Sequence, residues 1–519
     1  MFYTIDNCGS VGVVKDAYPH ELQDSAWSDA RNVRFREGYA EKFKGHTDSF
    51  GTTSASALWV QPITVGTARD WIYTTQAKVY YVNPAGTHTD ISGYSYNANY
   101  ADGWTGGVLG GIAVMSNGVN TPQYWAGTGN AANLTNWPTS HSATCKVMRA
   151  HKSYLVALNV SETSATASQT HTYPHMVWWS QPAEPGSLPT TWDYSSASND
   201  SGRNDLAEDP THLVDGLTMG ERFICYKEGS YWAMDYIGPP YIWRFSKISS
   251  VNGALAKNCV TPVGSGNHAV FGNGDIYVHS GGDPTSVVNA KLRRWIYSQI
   301  DTSNYDRSFA VTNPLQDEAW FCFPPAGASW CTTAAVWNYR DNTTTIRDIP
   351  TLAHAASGIV DAGLANSWNS ASGSWDASDA VWNSTGITES SPRLILVDHA
   401  NKKTFVADQT KQFNNVSFTA YVERTGLSCG DPTRVKLLKS VRPIFDAPAG
   451  TEITVRMGAA MDIQSATTWN SPQTYTVGTS LKIDGFARGR FLAIRFESTG
   501  SVNWRLKRYD LEVEGFGLW

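Results

Sequence analysis

The sequence predicts an all-β protein, in which a β-propeller of about six to seven blades is followed by a C-terminal β-sandwich. Three observations lead to this prediction. The 519-residue chain is rich in aromatic residues and glycine, with 21 Trp, 24 Tyr, 18 Phe and 44 Gly, whereas only 17% of its residues are charged. Its apolar residues come in short runs ended by Gly, Asn, Asp or Pro, and helical spacing never persists beyond a turn or two. Strand–turn–strand units recur about every 40–50 residues, the repeat length of propeller blades.

These units follow one another through most of the chain. Residues 1–56 are assigned to an N-terminal arm with the first strands, and residues 57–414 to the propeller. The units that support the assignment lie at 57–86, 110–127, 146–182, 220–235, 267–282, 317–350 and 393–408. None carries a WD dipeptide or a kelch-like Gly-Gly signature, so a large β-sandwich array is the competing architecture.

Three long segments interrupt the repeating units, at 161–174, 195–210 and 362–391. Their length and polarity predict solvated loops that leave the blades rather than hinges between domains. Residues 415–519 alternate more regularly, with turn residues at intervals typical of a sandwich, and are assigned to a separate C-terminal β-sandwich. We expect that a separate unit of this kind could be removed and leave a soluble propeller.

The chain closes on a basic and aromatic stretch, GRFLAIRFESTGSVNWRLKRYDLEVEG at 489–515. Leu492, Ile494 and Phe496 alternate with small or charged residues, and a second patterned run follows a break at Gly500. This pattern predicts a β-hairpin of two half-buried strands around a Ser/Thr/Gly turn.

Charge and cysteine content restrict the classes of function. A net charge of -6 argues against a nucleic-acid binder that works by neutralising phosphates. The seven cysteines are scattered and never form a C-x-x-C pair, which predicts buried free thiols in a protein folded in a reducing cytoplasm. The N-terminus shows no secretion signal, and the most apolar stretch, GGVLGGIAVM, is too short to span a bilayer. We therefore expect no membrane insertion.

The sequence offers no catalytic or metal-binding motif. Asp205, Glu208 and Asp209 lie together, but in a polar segment without a neighbouring aromatic platform for a sugar. His171 and His175 have helical spacing, but Pro174 and the Ser/Thr-rich approach favour a loop over a metal site. Hydrolase, zinc-protease, P-loop and dinucleotide fingerprints are missing. We predict a protein that is not an enzyme and needs no cofactor.

Some tryptophans could instead stack on sugars. Trp178–Trp179 form a pair, and Trp368, Trp375 and Trp382 lie within the segment 362–391. Blade cores require large aromatic residues at strand positions, so burial is favoured for the pair. For the three tryptophans of the segment, the two interpretations stay open.

Two stretches of the sequence resemble a known family. One is ELQDSAWSDARNVRFREGYAEKFKGHTDSFG at 21–51, and the other is the C-terminal series FTAYVERTGLSCGD, SVRPIF, DGFARGRFLAIRFES and NWRLKRYDLEVEG. Together they resemble the tail nozzle or hub proteins of short-tailed bacteriophages, also called packaged-DNA stabilisation proteins. The resemblance covers about 30 residues at the start and 100 at the end.

The resemblance implies a structural protein of the virion tail, folded in the cytoplasm of the host bacterium. It would form a homo-oligomer, expected to be a hexamer, below the portal and the tail adaptor ring. The ring would retain packaged double-stranded DNA and form the channel for its ejection, without sequence-specific binding. Tail fibres, spikes or a needle are further candidate partners.

The basic C-terminal stretch supplies a candidate assembly interface with a neighbouring subunit or the adaptor ring. Arginine is favoured at protein interfaces because its head group stacks and makes bidentate bonds. The candidate residues are Arg488, Arg490, Arg495, Trp504, Arg505, Lys507, Arg508 and Tyr509. The alternative is a charged, solvated strand face. Two other functions stay open: a receptor-binding or glycan-binding or glycan-degrading tail protein, and a host cytoplasmic propeller acting as a scaffold.

Overall fold

A computed structural model of the chain describes residues 2–100, 103–138, 142–163, 169–360 and 392–518, and it confirms the predicted all-β class. The helical segments in these ranges are the α-helix Arg293–Gln299 and the 3-10 turns Pro19–Glu21 and Tyr305–Arg307. Within the same ranges, no helix has the length and apolarity needed to cross a membrane.

The propeller consists of seven four-stranded antiparallel blades. This number lies within the predicted range of about six to seven. Blades 1 to 5 are consecutive in sequence, and each is a meander in which every strand pairs with the next. Their strands are Trp59–Val65, Ala68–Thr74, Val79–Val82 and His88–Asp90 in blade 1; Thr105–Leu109, Ile112–Ser116, Gln123–Trp125 and Ala132–Asn133 in blade 2; Thr144–His151, Tyr154–Thr163, Thr170–Trp179 and Gly202–Asp205 in blade 3; Leu213–Met219, Arg222–Lys227, Tyr231–Gly238 and Ile242–Ser249 in blade 4; and Val260–Val263, Asn267–Phe271, Ile276–His279 and Thr285–Ser286 in blade 5.

Blades 6 and 7 share one long strand, Thr343–Ile359. Its first half completes blade 6, and its second half begins blade 7. The other strands are Phe309–Asn313, Glu318–Phe323 and Cys331–Asn338 in blade 6, and Pro392–Asp398, Lys403–Ala407 and His46–Thr52 in blade 7. The first strands of the seven blades contact one another in a closed ring.

The N-terminal strand His46–Thr52 completes the propeller. It is the outermost strand of blade 7 and runs antiparallel to Lys403–Ala407, with His46 opposite Ala407. Backbone hydrogen bonds thus join the start of the propeller sequence to its end, and blade 7 cannot be completed without residues that precede position 57.

The β-sandwich consists of two six-stranded sheets, which we call sheet A and sheet B. Sheet A follows the order Ile483–Gly489, Arg434–Asp446, Arg505–Leu518, Tyr39–Lys42 and Val33–Arg36, with Phe2–Ile5 paired to Arg505–Leu518. Sheet B follows the order Thr468–Trp469, Glu452–Ala460, Phe491–Ser498, Ala420–Leu427 and Asp29–Arg31, with Gln473–Thr476 paired to Glu452–Ala460. N-terminal strands therefore belong to both sheets, and residues 1–56 do not form a separate arm.

The prediction of a C-terminal hairpin at 489–515 is wrong. Phe491–Ser498 pairs with Glu452–Ala460 and Ala420–Leu427 in sheet B, whereas Arg505–Leu518 pairs with Arg434–Asp446 in sheet A. The segment between the two strands crosses from one sheet to the other, so they face each other across the core. Two strands paired in a hairpin and two strands that face each other in opposing sheets both alternate polar and apolar residues. The sequence pattern therefore could not distinguish these two arrangements.

The predicted long loops are partly strands. The hairpin Tyr154–Thr163 and Thr170–Trp179 continues through most of 161–174, and Gly202–Asp205 lies within 195–210. His171 and His175 are accordingly strand residues. The segment 362–391, with its three tryptophans, lies outside the described residues.

The apolar core is continuous from blades 5 and 6 into the sandwich. Phe271, Phe321 and Ile346 of the propeller belong to one buried cluster with Trp504 and Leu506 of the sandwich. All seven cysteines are free, six of them buried and Cys429 half-buried.

A cluster of four buried charges, which we call the ionic cluster, lies beside this junction. Arg34 of sheet A contacts Glu318 of blade 6 at 3.0 Å and Asp408 at 2.9 Å. Arg347 contacts the other oxygen of Asp408 at 3.1 Å, and both guanidinium groups stack on Phe43. Burial raises the pKa of Asp408, but the two arginines outweigh it and hold that pKa below its ordinary value. Two opposite-charge pairs thus join the sandwich to the propeller.

A second polar network joins the blades near the propeller axis. The Arg149 guanidinium of blade 3 contacts Asp215 of blade 4 at 2.8 Å and donates to the carbonyl of Gly106 in blade 2 at 3.1 Å. The same guanidinium donates to the side chain of Asn258, just before blade 5, at 2.9 Å. The carbonyl of Asn258 then accepts the backbone N–H of Ala310 in blade 6. One arginine therefore connects four successive blades.

Blades 4 and 5 share a buried chain of neutral side chains. The Tyr226 hydroxyl lies 2.8 Å from His268 Nδ1 and 2.7 Å from His279 Nε2. His268 Nε2 donates to the Thr218 carbonyl, and His279 Nδ1 accepts the N–H of Gly281. Each N–H or O–H group of this chain therefore has one acceptor. A proton added to either histidine would create a buried N–H group without an acceptor.

We expect this protein to lose stability as the pH falls from about 6.5 toward 4. Burial lowers the pKa of His268 to about 4 and of His279 to about 3, and it also lowers those of His46, His151 and His354 to about 3, 4 and 3. The unfolded chain gains these protons near pH 6.5 while the folded chain does not, so each histidine costs about 1.4 kcal/mol per pH unit in that range.

Differential scanning fluorimetry between pH 7.5 and 4.5 checks this expectation. The apparent Tm should fall steeply, and a His268→Gln/His279→Gln double variant should show a smaller fall. His171→Gln, on the exposed hairpin of blade 3, is the control. A Tm that is constant over this range contradicts the prediction.

We also expect that deletion of residues 415–519 does not leave a soluble propeller. The deletion removes the partners of Asp29–Arg31 and Phe2–Ile5 and exposes the core shared with blades 5 and 6. The measurement is the soluble yield and size-exclusion profile beside the full chain. A soluble, monodisperse truncated protein would contradict this prediction and show that the two units are separable.

Candidate assembly surface

Arg495 lies on the outward surface of sheet B, within a network of its own neighbours. Its guanidinium contacts Glu423 at 3.0 Å and Glu497 at 2.8 Å, and it stacks 3.8 Å from the ring of Tyr421. The Tyr421 hydroxyl donates to Asp29 at 3.1 Å. Arg495 is therefore already neutralised and oriented within the subunit.

Arg505 and Arg508 lie on sheet A and are about equally accessible, each with 44% of its side chain exposed. Arg505 lies 3.4 Å from Glu41, and Arg508 lies 3.3 Å from Asp510. Lys507 is also exposed, with its ammonium 5.8 Å from the ring of Tyr39. These three cations belong to a different sheet from Arg495.

The two aromatic members of the candidate set are core residues. Trp504 and Tyr509 are each 1% exposed. The Trp504 Nε1–H donates to the Ser498 hydroxyl at 2.7 Å. This bond links the strand Phe491–Ser498 of sheet B to the start of Arg505–Leu518 in sheet A. Tyr509 packs against Trp27 and Phe496. Neither can contact a neighbouring subunit without unfolding of the sandwich.

Arg488 and Arg490 lie at the end of the edge strand of sheet A. Arg490 Nε donates to the Pro432 carbonyl at 3.1 Å, while Arg488 is exposed beside a surface cleft. The structure thus distributes the predicted set over two sheets and the core. A contact made by any of the surface arginines stays a prediction.

Sequence reasoning missed an apolar surface beside Arg488. Phe486 is 74% exposed and Met461 49% exposed, at the rim of a cleft of about 440 Å³. Ala460 and Ala487 line its floor. The signal was present in IDGFARG at 483–489, where alternation places Phe486 on the same side as Asp484 and Arg488.

Two of the residues considered for catalysis or metal binding, Asp209 and His175, are bound to their own neighbours. Burial raises the pKa of Asp209, but hydrogen bonds from Ser230 and Thr211 outweigh it and hold that pKa below its ordinary range. The same carboxylate contacts the buried Lys227 at 3.2 Å. His175 bonds to the Thr211 carbonyl, and no group of three or more metal-ligating side chains occurs in the described ranges.

The Trp178–Trp179 pair is buried, at 1% and 7% exposure, as the blade-core interpretation predicts. The Trp178 Nε1–H donates to the Trp192 carbonyl, and Trp178 and Trp192 pack in the same buried cluster, whereas Trp179 packs in a neighbouring one. The pair is thus unavailable to a sugar.

Comparisons with known proteins concern the fold alone. No family model and no curated protein matches the sequence. A WD40 β-propeller domain of Doa1 matches with 9% identity and a TM-score of 0.38, over 71% of this chain and 98% of that one. PorZ, a surface component of the type-IX secretion system of Porphyromonas gingivalis, matches with 9% identity and a TM-score of 0.34, over 74% of this chain and 42% of that one. At these scores neither likeness supports a functional argument.

Trp504→Ala and Arg505→Ala should differ sharply although the residues are adjacent. Loss of the buried indole should lower the free energy of unfolding by about 3–5 kcal/mol, whereas loss of the exposed Arg505 should change it by at most about 1 kcal/mol. Urea unfolding followed by tryptophan fluorescence, with circular dichroism as a second probe, measures both. Equal effects would contradict the assignment of one residue to the core and the other to the surface.

Proposed function

We propose that this protein is a structural component of a short phage tail, a nozzle or hub subunit that surrounds the DNA exit channel. The observation that carries the proposal is the joining of the two stretches that bear the family resemblance. Asp29–Arg31 pairs with Ala420–Leu427, the neighbour of Phe491–Ser498, and Tyr39–Lys42 pairs with Arg505–Leu518. Paired residues that lie 390 positions (Arg31 and Tyr421) and 464 positions (Glu41 and Arg505) apart in the sequence thus belong to one folded unit. This is expected if the resemblance reflects a shared structural element.

The interior of the subunit suits a role that requires mechanical rigidity. The Arg149 network connects four blades, and the ionic cluster fixes the sandwich on blade 6. Breaking a buried ion pair costs about 3–5 kcal/mol, so these contacts resist relative movement of the blades and of the two units. A ring that holds DNA under pressure requires this kind of rigidity in each of its subunits.

The charge of the chain suits a channel through which DNA slides. The net charge is -6, and Lys and Arg number 40 against 46 Asp and Glu. Each basic ring around a duplex would add contacts that must break as the strand advances, whereas an acidic wall repels phosphates over about 8–10 Å at physiological salt. Retention would then depend on a steric constriction, for which the acidic segment 195–210 and the segment 362–391 are the candidates.

The proposal is tested by electron microscopy of the purified full chain and of particles produced by the phage that encodes it. We expect closed rings of about six copies, with this protein in the tail below the adaptor ring. The lumen should be lined by acidic and neutral side chains and narrowed by a loop. Native mass spectrometry provides the copy number independently.

A stable monomer that is missing from purified particles contradicts the proposal and favours a host scaffold. A ring whose lumen is lined mainly by Lys and Arg overturns the account of the channel but leaves the tail assignment intact. Hydrolysis of host polysaccharide that is lost on mutation of a carboxylate pair would favour the enzyme alternative.

A further inference from the structure

A cleft of about 380 Å³ lies where the sandwich meets the propeller. Arg31 of sheet B borders it on one side, and Trp295 and Gln299 of the helix Arg293–Gln299 border it on the other. Phe323 of blade 6 contributes to the floor, together with Ile349 of the strand shared by blades 6 and 7. Junctions between structural units are a common place for ligand sites, and the volume lies within the usual range of about 300–1,000 Å³.

The wall formed by Trp295 is an aromatic platform held in place. The Lys15 ammonium lies 4.6 Å from the centre of its ring and pairs with Asp29 at 2.8 Å. The backbone N–H of Trp295 donates to Asp16 at 3.1 Å. Trp295 also packs against the buried core, so the indole is fixed in position where it borders the cleft.

The polar groups of the cleft are balanced in charge. Arg31 and Asp348 form a pair at 2.6 Å, with 31% and 40% of their side chains exposed. Asp348 also accepts a bond from Asn32 at 2.7 Å, which fixes the carboxylate. The lining therefore carries one positive and one negative charge, already paired, and offers no net attraction to a phosphate or to a cation.

Two further polar groups face the cleft without a complete set of partners in the described ranges. Gln299 makes one weak bond, from Nε2 to the Ser298 hydroxyl at 3.3 Å, and its Oε1 accepts none. The half-buried Thr332 hydroxyl has no hydrogen bond to another described residue. A planar amide, a hydroxyl and an exposed ion pair can each donate to or accept from a ligand.

We infer that this cleft binds a neutral saccharide. A sugar ring has an apolar C–H face that stacks on an indole, and vicinal hydroxyls that bond at once to planar groups such as those of Gln299, Arg31 and Asp348. A ligand with a net charge would find no counter-charge in the cleft. A purely apolar ligand would leave the polar groups of the lining without hydrogen-bond partners. The inference goes beyond the proposed tail function and does not depend on it.

Saturation-transfer difference NMR on the full chain tests this inference, with glucose, galactose, rhamnose, N-acetylglucosamine, maltose and lactose as probes. At least one of these sugars should give a signal that Trp295→Ala abolishes. Gln299→Ala and Thr332→Val should weaken its affinity about two- to tenfold each, the loss of one hydrogen bond, and both positions tolerate the change without a buried cavity. Trp469→Ala, at a half-buried tryptophan of sheet B, is the control and should leave binding unchanged.

Three results overturn the inference. One is the lack of a signal from every sugar with a folded chain. Another is a signal that the three cleft variants leave intact. The third is stronger binding of glucuronate or inorganic phosphate than of any neutral sugar, which would contradict the charge argument. A chain that forms rings in tails but binds no sugar would overturn this inference alone, whereas a monomer that binds sugar would overturn only the tail assignment.

Discussion

The backbone pairing of the N-terminal segment with strands from the far end of the chain is the constraint on which the rest of the structure depends. His46–Thr52 completes blade 7, Phe2–Ile5 and Tyr39–Lys42 extend sheet A, and Asp29–Arg31 extends sheet B. The propeller and the sandwich therefore cannot be completed independently. Because these pairings span several hundred residues, closing them carries a cost in loop entropy, which a continuous apolar core must offset.

Buried charge then fixes the arrangement that the pairing permits. Arg34 and Arg347 share Asp408, and both guanidinium groups stack on Phe43, so neither arginine can be moved without leaving a charge unpaired. Such clusters add little net stability compared with an apolar core, but breaking one is costly. The same holds for Arg149 and Asp215 at the propeller axis. These buried charged residues thus define the relative positions of the structural units that they join.

The sequence predicted the strands but not their partners. Turn residues and alternating polarity are local signals, and they correctly identified the blades, the sandwich and the buried Trp178–Trp179 pair. Whether Phe491–Ser498 pairs with Arg505–Leu518 or faces it across a core depends on strands such as Ala420–Leu427, which the local pattern cannot sense. The candidate residues do not form one surface for the same reason, because the buried Trp504 and Tyr509 were grouped with surface arginines, whose contacts stay a prediction. The junction cleft could not be foreseen, since Arg31 and Trp295 come from units that the sequence treats as unrelated.

Several polar groups of the described chain are bound to their own neighbours. Asp209 is held by Lys227, Tyr226 is shared by two histidines, and Arg495 is neutralised by two glutamates. Other surfaces are only partly satisfied within one subunit. Phe486 at the sandwich edge and the cleft beside Trp295 are such surfaces, the first apolar and the second balanced between polar and aromatic groups. An apolar edge suits contact with another protein, whereas a neutral cleft suits a small polar ligand, so one subunit can join an assembly and still present a recognition site.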